Sequence, residues 1–204
     1  MTTTMNKQRL IETQLFNPKN IIKEGKEGTP KIMVEGILAT VDTPNGNGRY
    51  YSKELWEREI NKYIEGPVKE RRSSGELDHS NEDVVNLKNV SHLITEIWWE
   101  GKDIKGKIEV LPTPSGKILS TLLENNVLLG ISSRGLGSVE QRGELLEVQD
   151  DFSLICWDFV STPSNTNSWM EPIKGKLNES KNYLTNLSKY QRVNKIVNNI
   201  IHNL

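Results

Sequence analysis

Histidine is the residue type best suited to proton transfer near neutral pH, because its side chain titrates there without a large perturbation. The 204-residue sequence contains three histidines, His79, His92 and His202. His79 ends the polar segment GELDHS, which is expected to be a loop. His92 lies in an apolar run and fits a buried structural histidine better, and His202 belongs to the C-terminal segment. His79 is therefore the first candidate for a general base, although such a loop histidine is often only a surface residue.

Two adjacent serines, Ser132 and Ser133, follow the apolar run LLGI and precede an arginine and a glycine. A strand edge would hold a nucleophile rigidly, and a glycine there would let backbone N–H groups face an oxyanion. Side chains alternate along a strand, so Ser132 shares a face with Gly130 and Arg134. Ser133 then points away and holds a turn. Taken alone, this stretch is interpreted more simply as an ordinary strand terminus.

A carboxylate, Asp158, lies within the apolar segment FSLICWDFVS. Alternation places it on the same face as Cys156 and Val160, and a buried charge needs a partner. A histidine that it orients would complete a Ser–His–acid arrangement. A salt bridge to arginine or lysine is the structural alternative, and the residues leave both open. Cys156 is disfavoured as a nucleophile because it lies on the same apolar strand with no histidine near it in sequence.

A metal site is a second chemical option. Glu76, Asp78, His79 and His92 are metal-ligating residue types. However, the adjacent Asp78 and His79 point apart in an extended chain, and neither HExxH nor CxxC spacing occurs. A metal-dependent hydrolase is therefore the weaker alternative, and no metal or other cofactor is expected.

The composition of the chain argues against some kinds of partner and compartment. The net charge is -1, from 26 basic and 27 acidic residues, so a surface that coats nucleic acid is not indicated. No apolar run is long enough for a membrane span, and the N-terminus lacks the apolar core of a signal peptide. The single cysteine, Cys156, fits a reducing compartment. We therefore expect a soluble cytoplasmic protein without nucleic-acid or membrane partners.

Short strands and two or three helices are predicted to position these residues. A helix capped by Ser52 runs to about residue 64, and a second spans 115–126. The predicted strands lie at 31–40, in a hairpin over 89–111, at 128–138, in a hairpin that turns at Arg142–Gly143, and at 152–161. This order predicts an α+β fold with a small, mostly antiparallel domain.

The chain divides into three predicted parts. Residues 1–30 are polar and read as an N-terminal extension. Residues 31–172 form the domain, and 173–204 form an amphipathic helical tail. The tail could dock on the domain, bind a partner or be removed on maturation.

Several motifs occur together in one order: NGNGRYY, GELDHS, ITEIWWEGKDIKGKIEVL, GISSRGLGS and WDFVSTPSN. Over roughly residues 31–172 the chain resembles the prohead core proteases of tailed bacteriophages. These are serine peptidases similar in fold to herpesvirus assemblins. The resemblance therefore implies a β-barrel-like domain flanked by helices.

The resemblance also implies roles for particular residues. His79 matches the family's general base and Ser132 its nucleophile, the first serine of its GISSRG-like motif. Asp158 matches the third member of the family's catalytic triad. The family commonly has proline after the histidine, where this chain has Ser80, so the shape of the loop is in doubt but no catalytic group is lost.

Assemblins add two further expectations. They stabilise the oxyanion with backbone and water associated with an arginine, so Arg134 and Gly135 are the candidates here. Their third member is a histidine, so His92 is a rival to Asp158. They are also activated by dimerisation, which raises a homodimer as an option.

The implied function is that of a serine endopeptidase of the phage prohead. Such an enzyme is packaged as a zymogen inside the prohead, in the host cytoplasm. It cleaves scaffold or core proteins, the major capsid protein and finally itself. The alternative is a catalytically inactive core or scaffold component with the same fold.

Overall fold

Short strands and two helices alternate along the part of the chain that the structure describes. This computed structural model describes residues 7–16, 22–24 and 31–161. The elements, in chain order, are β1 (Gln8–Phe16), β2 (Ile22–Glu24), β3 (Lys31–Thr40), β4 (Arg49–Tyr50), α1 (Lys53–Tyr63) with a π-helical extension (Ile64–Val68), β5 (Ser74–Glu76), β6 (Val90–Glu100), β7 (Asp103–Val110), α2 (Pro114–Glu124), β8 (Leu129–Gly137), β9 (Val139–Arg142), β10 (Leu145–Val148) and β11 (Ser153–Val160).

The strands form three sheets. Their orders are β2-β3-β7-β6-β5, β1-β8-β11 and β4-β10-β9. Neighbouring strands are antiparallel except for the pair β4 and β10. The predicted α+β class with mostly antiparallel sheets is confirmed. The predicted barrel-like shape is wrong for the described residues, because each sheet keeps two edge strands and a barrel requires those edges to pair.

Helix α1 begins where the sequence predicts it. The Oγ of Ser52 accepts a hydrogen bond from the backbone N–H of Leu55, which satisfies one of the free donors at the helix start. Helix α1 buries Trp56, whose ring stacks on that of Trp157 of β11 with the two centroids 6.1 Å apart. The ring of Tyr51 lies on another side of Trp56, at a centroid distance of 5.6 Å. Burial of aromatic side chains of this size contributes about 1.5–3 kcal/mol each, so the contact firmly ties β11 to α1.

The prediction that a strand ends at the two serines is wrong. Strand β8 continues to Gly137, so Ser132 and Ser133 lie in its interior and Ser133 holds no turn. The glycine that follows Arg134 also has a packing reason. A Cβ atom at Gly135 would lie 2.4 Å from Cε2 of Phe152, so glycine makes room for that ring.

The N-terminal segment contributes a strand to the domain. Strand β1 pairs along its whole length with β8, from Gln8 opposite Gly137 to Phe16 opposite Leu129. The predicted C-terminal tail, 173–204, lies outside the described residues. Neither helix in the described ranges is long and apolar enough to cross a membrane.

Candidate active site

Strand β8 is the middle strand of its sheet, and this places Ser132 between two polar side chains. Thr13 of β1 is its partner on one side, and Asp158 of β11 is its partner on the other. Side chains directly opposite each other on neighbouring strands lie on the same face with their Cβ atoms about 5 Å apart. The sheet register therefore sets three hydrogen-bonding side chains in a row.

His79 reaches this row from the connection that follows β5. Leu77 forms a parallel bridge with Phe159, and the backbone N–H of Asp78 donates to the Phe159 carbonyl at 2.8 Å. Asp78 then adopts a left-handed conformation with φ +64°, which aspartate tolerates better than most residues. The chain turns at this point, and His79 lies over the face that carries Ser132.

His79 contacts both of its predicted partners. Its Nδ1 lies 2.8 Å from Asp158 Oδ2, and its Nε2 lies 2.9 Å from Ser132 Oγ. A carboxylate can only accept, so Nδ1 carries the proton and Nε2 accepts the Ser132 hydroxyl. His79 keeps 20% of its side-chain surface exposed, whereas Ser132 and Asp158 have none.

The surroundings of Asp158 keep it ionised. Burial alone would raise the pKa of Asp158, but three favourable contacts outweigh it and lower that pKa: the hydrogen bond from His79, the backbone N–H of Glu76 and the charge of Arg134. A carboxylate beside Nδ1 orients the ring and stabilises the imidazolium that forms when Nε2 takes a proton.

The guanidinium of Arg134 is buried and all five of its N–H groups have acceptors. Nε donates to Asp158 Oδ2 at 2.9 Å. The acceptors of the terminal nitrogens are Ser80 Oγ, the Glu82 carbonyl, Glu76 Oε1 and Cys156 Sγ. These contacts engage the donors of the guanidinium, so the predicted oxyanion role of Arg134 and Gly135 concerns their backbone and stays a prediction.

Glu76 is the second buried carboxylate of the site. Its Oε1 lies 2.6 Å from Nη2 of Arg134 and also accepts from Ser80 Oγ at 3.0 Å and from the backbone N–H of Asn86 at 2.9 Å. Ser80 therefore joins the loop after His79 to this ion pair. Glu76 and Asp158 together carry one more charge than Arg134, so a positive charge on His79 would neutralise the cluster.

His92 and Cys156 take no part in the contact between His79 and Ser132. The Nε2 of His92 lies 3.1 Å from the Trp157 carbonyl and its Nδ1 lies 2.9 Å from Ser91 Oγ, so both ring nitrogens are occupied. Burial lowers the pKa of His92 to about 4, as expected for a neutral structural histidine. Burial together with the charge of Asp158 raises the pKa of the Cys156 thiol, which suppresses the thiolate.

The metal-ligand candidates are not gathered into a site. Within the described ranges, no group of three or more histidine, cysteine, aspartate or glutamate side chains has an arrangement that could hold a metal ion. Glu76 contacts Arg134 instead, and His79 contacts Asp158 and Ser132.

Two neighbours of the site were not predicted from the sequence. Thr13 lies in the segment interpreted as an extension, yet its Oγ1 is 3.0 Å from Ser132 Oγ. Glu76 was considered only as a metal ligand, although it binds Arg134. The one available signal for Glu76 was its place in GELDHS beside the candidate base.

Hydroxyl, imidazole and carboxylate groups in hydrogen-bonded series can activate a serine for acyl transfer. The arrangement of these side chains on an antiparallel sheet is compatible with acyl transfer. The chain belongs to the family described as prohead core protein serine protease, whose family model matches residues 2–182. The match includes β1, and so extends further toward the N-terminus than the motifs did.

Two relatives agree with this membership. The prohead core protein protease of Enterobacteria phage T4 is 31% identical over 147 residues, which cover 70% of this chain and 69% of that protein. The solved structure of the bacteriophage T4 capsid assembly protease, gp21, superposes with a TM-score of 0.71 at 29% identity. That match covers 77% of this chain and 99% of the gp21 chain.

Proposed function

We propose that this chain is a serine endopeptidase that acts by a Ser132–His79–Asp158 acyl-enzyme mechanism. The observation that carries the proposal is the pair of hydrogen-bond distances from His79, 2.9 Å to Ser132 Oγ and 2.8 Å to Asp158 Oδ2. Both distances lie within the range that proton transfer and ring orientation require.

The mechanism begins when Nε2 of His79 takes the Ser132 proton and Oγ attacks the peptide carbonyl carbon. Asp158 stabilises the imidazolium until Nε2 gives the proton to the amine nitrogen and the C–N bond breaks. Water then attacks the ester, passes a proton to Nε2, and Oγ recovers that proton as it leaves. The oxyanion role of Arg134 and Gly135 stays a prediction for their backbone surroundings.

The substrates follow from the family. A prohead protease acts on core or scaffold proteins and the major capsid protein, and we propose the same substrates here. The site of action would be the interior of the prohead in the host cytoplasm, with the chain packaged as a zymogen that finally cleaves itself. The 173–204 tail is proposed as a segment removed on maturation. A homodimer stays a proposal from the assemblin resemblance.

The test is cleavage of a purified core or scaffold protein of the same phage by the full-length chain. We expect discrete fragments, inhibition by a serine-directed phosphonate and full activity in EDTA. The inhibition is expected because an activated serine attacks the phosphonate. Loss of cleavage in EDTA with no effect of phosphonate would support a metal-dependent hydrolase instead. No cleavage of core or capsid protein would support the inactive core component.

A further inference from the structure

We propose that Thr13, on the N-terminal strand β1, is a fourth member of the active site that directs the Ser132 proton to His79. The proposal rests on the proposed serine mechanism. Thr13 Oγ1 lies 3.0 Å from Ser132 Oγ, so it touches the atom that would attack the substrate.

Thr13, Ser132, His79 and Asp158 form a hydrogen-bonded series, and the carboxylate of Asp158 at its end fixes which group donates in each bond. Asp158 can only accept, so Nδ1 of His79 is the donor there and Nε2 is an acceptor. The single proton of Ser132 therefore points to Nε2. Ser132 has no other proton to offer, and so the hydroxyl of Thr13 must donate to Ser132 Oγ.

This bond fixes the serine in its reactive orientation. A serine hydroxyl can rotate among three staggered positions, and its proton can follow any nearby acceptor. The Thr13 donor occupies one lone pair of Oγ, which leaves the proton for His79. When Oγ later leaves the acyl carbon, the same donor stabilises the negative charge that develops on it, because hydrogen bonds to charged oxygens are stronger.

Contacts on both faces of β1 hold the strand in place, and they fix the position of Thr13 relative to Ser132. Thr13 is itself buried, and Leu10, three residues earlier, belongs to the hydrophobic core. On the opposite face, Glu12 Oε1 accepts from Arg49 Nη1 and from Tyr51 Oη, each at 2.8 Å. These hydrogen bonds to a buried carboxylate would be lost if β1 shifted, so they help to keep β1 in register with β8.

The test uses full-length protein and two substitutions of Thr13 with opposite expectations. Thr13→Val keeps the shape and loses the hydroxyl, so we expect kcat to fall about tenfold at unchanged KM, the amount that one hydrogen bond supplies. Thr13→Ser keeps a hydroxyl and is expected to restore kcat to near the wild-type value. The rate of phosphonate labelling of Ser132 should fall in parallel in Thr13→Val.

Three outcomes would overturn the inference. Thr13→Val with wild-type kcat would show that the bond directs nothing, and a higher kcat would show that β1 obstructs the nucleophile. Equal losses in Thr13→Val and Thr13→Ser, with a lower melting temperature in both, would show a purely structural role. Ser132→Ala serves as the reference. If it is inactive while Thr13→Val is normal, only this inference fails, whereas an active Ser132→Ala removes the proposed function itself.

Discussion

Replacing Ser132 by alanine should lower kcat for core-protein cleavage by about 10⁶-fold, the scale found when a triad nucleophile is removed. The reason is that the attacking oxygen is lost while His79 and Asp158 remain. Binding of substrate should be unaffected, so KM changes little wherever residual turnover can be measured. Fragment formation followed on gels and by mass spectrometry provides the measurement.

Ser133→Ala is the matched control for this experiment. Ser133 is adjacent in β8 and equally inaccessible, at 3% exposure, but alternation directs its side chain to the opposite face of the sheet. We expect it to retain activity of the wild-type order. A loss in Ser133→Ala with full activity in Ser132→Ala would reverse the assignment of the nucleophile.

Replacing Asp158 by asparagine should lower kcat by about 10⁴-fold, as in the triad template. An amide can offer an N–H to Nδ1 of His79, and the ring would then present a proton rather than a lone pair to Ser132. Removing this charge also breaks the contact with Arg134 at 2.9 Å, so the free energy of unfolding should fall by about 3–5 kcal/mol.

Thermal denaturation separates the two consequences of Asp158→Asn, because kcat can be measured well below the lowered melting temperature. Asp150→Asn is the control, since the Asp150 side chain is fully exposed, at 101%. It should change neither kcat nor the melting temperature. Near-normal kcat in Asp158→Asn despite a lower melting temperature would limit Asp158 to its ion pair with Arg134.

The sequence contained enough to predict most elements between residues 31 and 161, and its motifs singled out His79, Ser132 and Asp158, whose side chains are in contact in the structure. Ser52, the hairpin of β6 and β7 and the turn at Gly143 all have local signals, namely a capping residue, alternation and a left-handed glycine. The two interpretations of Asp158 were left open, and the structure shows both sets of contacts at once. Asp158 contacts His79 and also forms a salt bridge with Arg134.

Contacts between distant elements were not predictable in the same way. The segment that contains β1 was predicted to be a polar extension. Its Glu12 is buried because it binds Arg49 and Tyr51, and the local sequence does not reveal these distant partners. The sequence around Gly135 likewise does not reveal that a glycine is needed there to leave room for the Phe152 ring. The local sequence around Arg134 also does not reveal that Glu76 and Asp158 bind its guanidinium, because both carboxylates come from other strands.

The most direct test of the serine mechanism is to locate the adduct that a fluorophosphonate forms on the full-length protein. After proteolytic digestion, fragmentation mass spectrometry distinguishes Ser132 from Ser133 in the same peptide. We expect a single adduct on Ser132 in the wild-type protein and strongly reduced labelling in His79→Ala, because the base that activates Oγ is missing. An adduct on any other residue, or equal labelling of Ser132 in His79→Ala, would contradict the mechanism.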